Sequence, residues 1–247
     1  MSIHASPRWI DYDIVETYPF SSNIFTQGLH LDDTILYSSS GLYEHSYISA
    51  VTFPEMTPVA SRKLDKQYFA EGLTIIENEL YLCTWKSKRC FVYDKESLKQ
   101  KQSFTIKSEG WGLTHIGDSL ILSDGTDKLY FINRFNFELE KTLSVTIANK
   151  PTRYLNELEH HSGYIYANVW GSPYIVLIHS KTGVVDYVID GTRLIQDQKP
   201  NLAKGHVLNG IAFDPQHNRL LLTGKRWTTL YALLLEKTPK IALDTSN

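Results

Sequence analysis

Five residues recur at one place in a repeated pattern, and between them they carry the chemistry of this 247-residue chain: Gln27, Glu71, Trp111, Asn156 and Asn209. Each opens a short string that continues with a small or acidic residue and then Leu or Ile: Gln27-Gly28-Leu29, Glu71-Gly72-Leu73, Trp111-Gly112-Leu113, Asn156-Glu157-Leu158 and Asn209-Gly210-Ile211. Their first residues are spaced by 44, 40, 45 and 53 positions. A second set follows the first four at 14 residues, namely Gly41, Trp85, Gly125 and Trp170. In the fifth string a longer turn moves the matching position to Lys225, 16 residues after Asn209. If equivalent positions converge, one pocket holds three indoles, a carboxylate, an ammonium and several amides. Indole walls exclude water and grip an apolar or amide-bearing ligand. Desolvation there raises the pKa of a carboxylate, which poises it for proton transfer. The Lys225 ammonium pulls the other way, and the sequence leaves the net sign open.

Convergence requires elements that repeat. Each string is followed by polar turn residues (Asp32-Asp33, Glu77-Asn78, Gly117-Asp118, Ser162-Gly163 and Gln216-His217-Asn218) and then by a strongly β-forming run. Those runs are 34–37, 79–82, 119–122, 164–167 and 219–222, and third runs follow at 90–93, 129–132 and 175–178. No helical periodicity stands out. Three or four strands repeated at a period in the forties predict an all-β, five-bladed propeller, whose inner strands line a central channel. The reading is a single propeller domain over 1–247, with blades starting near 25, 69, 109, 155 and 207. A spare strand near Ile14 to Tyr18 would complete the last blade and close the ring, and 238–247 forms a polar tail. A β-sandwich explains the strands but not the repeat.

Fifteen Tyr, ten Phe and five Trp fit a strand-rich fold. Lys+Arg 25 against Asp+Glu 27 leaves a formal charge of -2, with no basic excess for nucleic acid. No apolar run reaches the length of a membrane span, so no membrane partner is expected. No secretory signal is visible after Met1. The chain therefore reads as cytoplasmic as written, or as periplasmic or secreted if a leader was removed. Cys83 and Cys90 flank a hairpin with Lys86-Ser87 at its tip, where they would face each other. Both a disulfide and a pair of thiols remain open.

Bland readings exist for each candidate. The tryptophans could be core aromatics, Glu71 and Lys225 an ion pair closing the ring, and Asn156 and Asn209 caps for backbone groups. Their coincidence at equivalent repeat positions favours a site. Gly224-Lys225 lacks the rest of a phosphate loop, His160-His161 lacks metal spacing, and no nucleophile elbow is present.

The strings Phe25-Thr26-Gln27-Gly28-Leu29, Phe69-Ala70-Glu71-Gly72-Leu73-Thr74, Glu109-Gly110-Trp111-Gly112-Leu113 and Ser123-Asp124-Gly125-Thr126 continue in order with Leu155-Asn156-Glu157-Leu158-Glu159, Ala167-Asn168-Val169-Trp170, Val207-Leu208-Asn209-Gly210-Ile211-Ala212 and Thr223-Gly224-Lys225-Arg226-Trp227. This order resembles the glutaminyl-peptide cyclotransferases (glutaminyl cyclases) of the plant and bacterial type over nearly the whole chain. The resemblance implies a five-bladed propeller that converts N-terminal Gln of peptides or proteins to pyroglutamate with loss of ammonia. It implies neither metal nor other cofactor, and a monomer is expected. It casts Glu71 as proton shuttle, Asn156 and Lys225 as holders of the side-chain amide, and Phe25, Gln27, Phe69, Trp85, Trp111 and Trp170 as the pocket walls. One departure stands out: Ser38-Ser39-Ser40-Gly41 replaces the family's Glu-Ser-Thr-Gly, removing an acidic residue. The alternative is a catalytically weak propeller that binds peptide N-termini.

Overall fold

The computed structural model describes residues 6–198, 205–237 and 239–240; of the expected polar tail, 238–247, all but Pro239 and Lys240 lies outside the described residues. The chain forms five antiparallel sheets arranged as the blades of a propeller. Their innermost strands are Thr26–Asp32, Ala70–Ile76, Leu113–Ile116, Leu155–His161 and Leu208–Asp214. Ala70–Ile76 and Leu208–Asp214 are buried at every position, because each inner strand is covered on both faces by neighbouring blades. The outer strand Pro58–Lys63 is mostly exposed.

A two-residue hairpin leads from each inner strand to the next strand outward in four blades, and a longer one does so in the fifth. Asp33, Glu77, Gly117, Ser162 and Asn218 in these turns have φ of 54, 55, 55, 51 and 51°. Left-handed backbone of this kind matches the right-handed twist of the flanking strands, and Asp, Asn and Gly tolerate it best. The expected turn segments contain all five residues.

The ring closes as the spare strand suggested. Tyr12–Pro19 pairs antiparallel with Thr229–Leu235 and becomes the outermost strand of blade 5. Ahead of it, Arg8–Trp9 adds a parallel edge to Val185–Asp190 in blade 4, which two residues could not announce in the sequence. The core is correspondingly divided into five apolar wedges, one per seam between adjacent blades. Strands make up nearly all of the regular structure, as expected; among the described residues the one helix is short, Thr192–Gln198. It is latched to blade 5 by Gln198, whose Nε2 donates to Thr229 Oγ1 (3.0 Å) and the Tyr231 hydroxyl (2.8 Å).

Below the first repeat position the inner strands close on one another. A Cβ on Gly72 would lie 2.3 Å from Leu113 N, and one on Gly112 would lie 1.9 Å from Asn156 O. Glycine at these positions is what lets the strands approach so closely. Blade 4 places Glu157 in this layer instead. Its carboxyl oxygens accept from the backbone N–H of Ile211 (2.8 Å) and Leu29 (3.3 Å), so it ties blade 4 to blades 5 and 1.

Candidate active site

Above the glycine layer the first repeat positions meet. Gln27, Glu71, Asn156, Asn209 and Lys225 are all buried, although each carries polar or charged atoms. Trp111 is half-buried just ahead of the short inner strand of blade 3. Burial pushes the Glu71 carboxyl well above its ordinary range; the Lys225 charge opposes this and Glu109 reinforces it. The net sign left open by the sequence is therefore upward. Burial also lowers the Lys225 ammonium, against the pull of Glu71. The two sense each other's charge without a contact ion pair, which removes the ring-closing salt bridge as an explanation for them.

The second set of positions explains how the walls fit. Lys225 places its Nζ 5.0 Å from the centre of the Phe25 ring. Phe69 meets Trp85 edge to face at 5.5 Å, and Trp111 meets Trp170 likewise at 6.2 Å. Gly41 and Gly125 occupy the equivalent positions in blades 1 and 3. A Cβ on Gly41 would come within 2.3 Å of the Phe69 ring and 2.9 Å of Gln27 Cγ, and one on Gly125 within 2.7 Å of the Trp111 indole. The two glycines thus make room for rings at other positions, Phe69 of the next blade against Gly41 and Trp111 of the same blade against Gly125. Trp170, 48% exposed, forms part of the rim rather than the floor.

Polar atoms of the floor are only partly satisfied. Ser39 Oγ donates to the Glu71 backbone carbonyl, and Ser123 Oγ donates to that of Asn156 (2.6 Å). These hydroxyls fix the backbone beneath two of the candidate residues. Asn209 Nδ2 donates to Thr26 O (3.0 Å), which joins blade 5 to blade 1 and matches the capping role open to it from sequence. Gln27 Oε1, Asn156 Oδ1 and Asn209 Oδ1 are buried acceptors with no hydrogen-bond partner. Such atoms suit a ligand that brings N–H groups.

The sequence missed three contributors. Tyr43 packs on Phe69 (5.4 Å) and Tyr154 on Trp170 (6.3 Å), extending the aromatic wall outward. Glu109 joins the two walls: its Oε2 accepts from Trp85 Nε1 (2.7 Å) and Trp111 Nε1 (3.2 Å). Each lies near a repeat position already singled out, but only the tracked offsets drew attention. Ser38, by contrast, points away from the site. It lines a cavity of about 390 Å³ with Phe20, Tyr47 and Met56 in the seam between blades 5 and 1. Cys83 and Cys90 do pair across their hairpin, and both are buried free thiols. Among the described residues no group of three His, Cys, Asp or Glu side chains is arranged to hold a metal ion.

Known proteins share this architecture and order. Residues 2–235 match the glutamine cyclotransferase family. The chain is 33% identical over 243 residues to a glutaminyl-peptide cyclotransferase of Arabidopsis thaliana, spanning 96% of this chain and 75% of that protein. The crystal structure of Myxococcus xanthus glutaminyl cyclase superposes with a TM-score of 0.88 at 31% identity, covering 94% of this chain and all of the other. With the match running through all five blades, the chain belongs to the glutamine cyclotransferase family.

Proposed function

We propose that this protein converts the N-terminal glutamine of peptides or proteins to pyroglutamate and releases ammonia. The observation that carries the reading is Glu71: a buried carboxyl with a raised pKa, within electrostatic reach of the buried Lys225 ammonium and of Glu109, which holds the Trp85 and Trp111 indoles. An α-amine titrates near pH 8 in water, so at neutral pH it must lose a proton before it attacks. With that first proton released to solvent, Glu71 takes a second from the amine nitrogen as it bonds to the side-chain amide carbon. It returns the proton to the amide nitrogen as the C–N bond breaks and ammonia departs, so the carboxylate is regenerated in each cycle.

Negative charge builds on the amide oxygen between these steps. Asn156 and Lys225 are the groups available to stabilise it, and a buried cation acts strongly there because little water competes. The reaction is intramolecular, so its main requirement is a substrate folded back on itself. Phe25, Phe69, Trp85, Trp111 and Trp170 enclose a pocket suited to holding that compact conformer, with Gln27 at its floor.

The test is ammonia release from Gln-initiated peptides, measured with and without a chelator. Release above the uncatalysed rate, unaffected by the chelator, is expected. A peptide that binds but yields no ammonia would instead favour a propeller that only captures peptide N-termini.

A further inference from the structure

Blade 3 breaks the repeat at one position. Two residues before the pocket residue, the five blades carry Phe25, Phe69, Glu109, Tyr154 and Val207. In blades 1, 2, 4 and 5 the carbonyl of this residue accepts from the backbone N–H of Gly41, Trp85, Trp170 and Lys225; in blade 3 the chain is tied one step further on, by Trp111 N–H to Ser123 O, and Glu109 holds the same offset in sequence. Three blades put a ring there. Blade 3 puts a carboxylate among the rings.

The carboxylate is held firmly. Both indole N–H groups converge on its Oε2, one from each aromatic wall. Among the described residues nothing donates to its Oε1, although a carboxylate oxygen can accept more than one hydrogen bond. Glu109 is also close enough to Glu71 to act on it electrostatically. Two carboxylates thus face one buried ammonium, with exposed Lys86 on the Trp85 ring outside (4.3 Å), a balance at the inner end suited to a ligand with a single positive charge. Glu71 must take a proton from the attacking amine, so a different group has to hold that amine as it arrives.

We propose that Glu109 is the anchor for the substrate's α-amino group, accepting its N–H through Oε1 while Oε2 locks the Trp85 and Trp111 rings in place. The assignment rests on the cyclase reading and deepens it: the free N-terminus, as distinct from the glutamine side chain, is recognised by Glu109. Positioning and recognition are carried by different oxygens, so they are separable. Gln at this site can still accept an indole N–H through its Oε1 but no longer carries charge, whereas Ala does neither.

The experiment compares wild type with Glu109→Gln and Glu109→Ala by ammonia-release kinetics, pH profile and tryptophan fluorescence. For Glu109→Gln, KM should rise by roughly tenfold or more, kcat should fall by less, and the acid limb of kcat/KM should move to lower pH. Its tryptophan emission should stay close to wild type, while Glu109→Ala should shift emission and lose kcat as well. A wild-type KM in Glu109→Gln, or a loss confined to kcat, would overturn the assignment.

A binding arm separates this failure from failure of the cyclase reading. Quenching of tryptophan fluorescence is titrated with a Gln-peptide and with its Nα-acetylated form, using the Glu71→Gln background to suppress turnover. Preference for the free amine by about tenfold, lost on adding Glu109→Gln, supports the anchor whether or not wild type releases ammonia. Equal binding of the free and acetylated peptides would overturn the anchor even if wild type is an active cyclase.

Discussion

Trp111 occupies the volume that a side chain on Gly125 would need: a Cβ there would stand 2.7 Å from the indole Cη2. Gly125 also has φ of +79°, so two costs coincide at this residue. Gly117 provides the control, since its φ is +55° but nothing lies within 4 Å of its would-be Cβ. Gly117→Ala should lower stability by about 1 kcal/mol and leave kcat/KM unchanged. Gly125→Ala should lower stability by at least as much and also reduce kcat/KM by about tenfold or more, because the pocket wall must move. Thermal melts and kinetics on the two variants check this; equal activity in both would show that Trp111 tolerates displacement.

Glu71→Gln should retain the fold and lose turnover by about two to four orders of magnitude. The circular dichroism spectrum should match wild type, and the Gln-peptide should still bind. In wild type the Glu71 carboxyl must be ionised to accept a proton, and burial places that ionisation above the ordinary carboxylate range. Activity should therefore rise across a pH interval higher than a surface glutamate would give. A pH profile of kcat flat through that interval would count against Glu71 as the base.

Stability should fall toward acid for a separate reason. Burial lowers the pKa of His115 and of His160 from 6.5 to about 4. A base whose folded pKa is depressed contributes stability that is present above 6.5 and lost as pH drops toward the folded value. The loss amounts to about 3 kcal/mol for each imidazole fully protonated only after unfolding. His115→Asn can keep an acceptor for Thr74 Oγ1, which lies 3.0 Å from His115 Nδ1. That variant should show a shallower decline in urea midpoint between pH 7 and pH 5; an unchanged slope would rule His115 out as a source. Glu157 acts in the opposite sense: burial raises its pKa, so its contribution is present below the ordinary carboxylate range and lost as pH climbs through the folded value.

Cys83 and Cys90 should be unreactive toward a thiol reagent in the native state. Both are almost fully buried, and burial raises both pKa values, so little thiolate is available. Two thiols per chain should react at the rate of unfolding once denaturant is added. Rapid native labelling would mean that the blade 2 hairpin opens far more readily than its burial implies.

Much of this architecture was legible because a propeller repeats the same local decisions. Asp33, Glu77, Gly117, Ser162 and Asn218 all sit in left-handed turns between apolar runs, and composition alone marks such turns. The alternation of Gly41, Trp85, Gly125 and Trp170 could be listed from spacing. That Gly41 makes room for Phe69 and Gly125 for Trp111 could not, because each contact joins residues at different offsets of the repeat. Glu109 was hidden for a related reason: it breaks the aromatic pattern at its own offset, and its partners Trp85 and Trp111 come from different blades. Ser38 looked like a loss from the site, but strand alternation turns it into the seam between blades 5 and 1 while Ser39 faces Glu71. The helix Thr192–Gln198 is too short for a periodic signal, with only Leu194 and Gln198 buried.

Closure of the ring by Tyr12–Pro19 against Thr229–Leu235 sets an order on assembly. The early strand leaves the ribosome long before its partner does and must wait with an open edge while four other blades form. The pocket is subject to the same delay, since Gln27, Glu71, Trp111, Asn156 and Lys225 come one from each blade in turn. A chain stopped before Lys225 lacks both a finished circle and the buried ammonium that acts on Glu71. On the proposed roles of Glu71 and Lys225, proton transfer belongs to completed molecules, and partly made chains, however well their early blades fold, hold an unfinished centre.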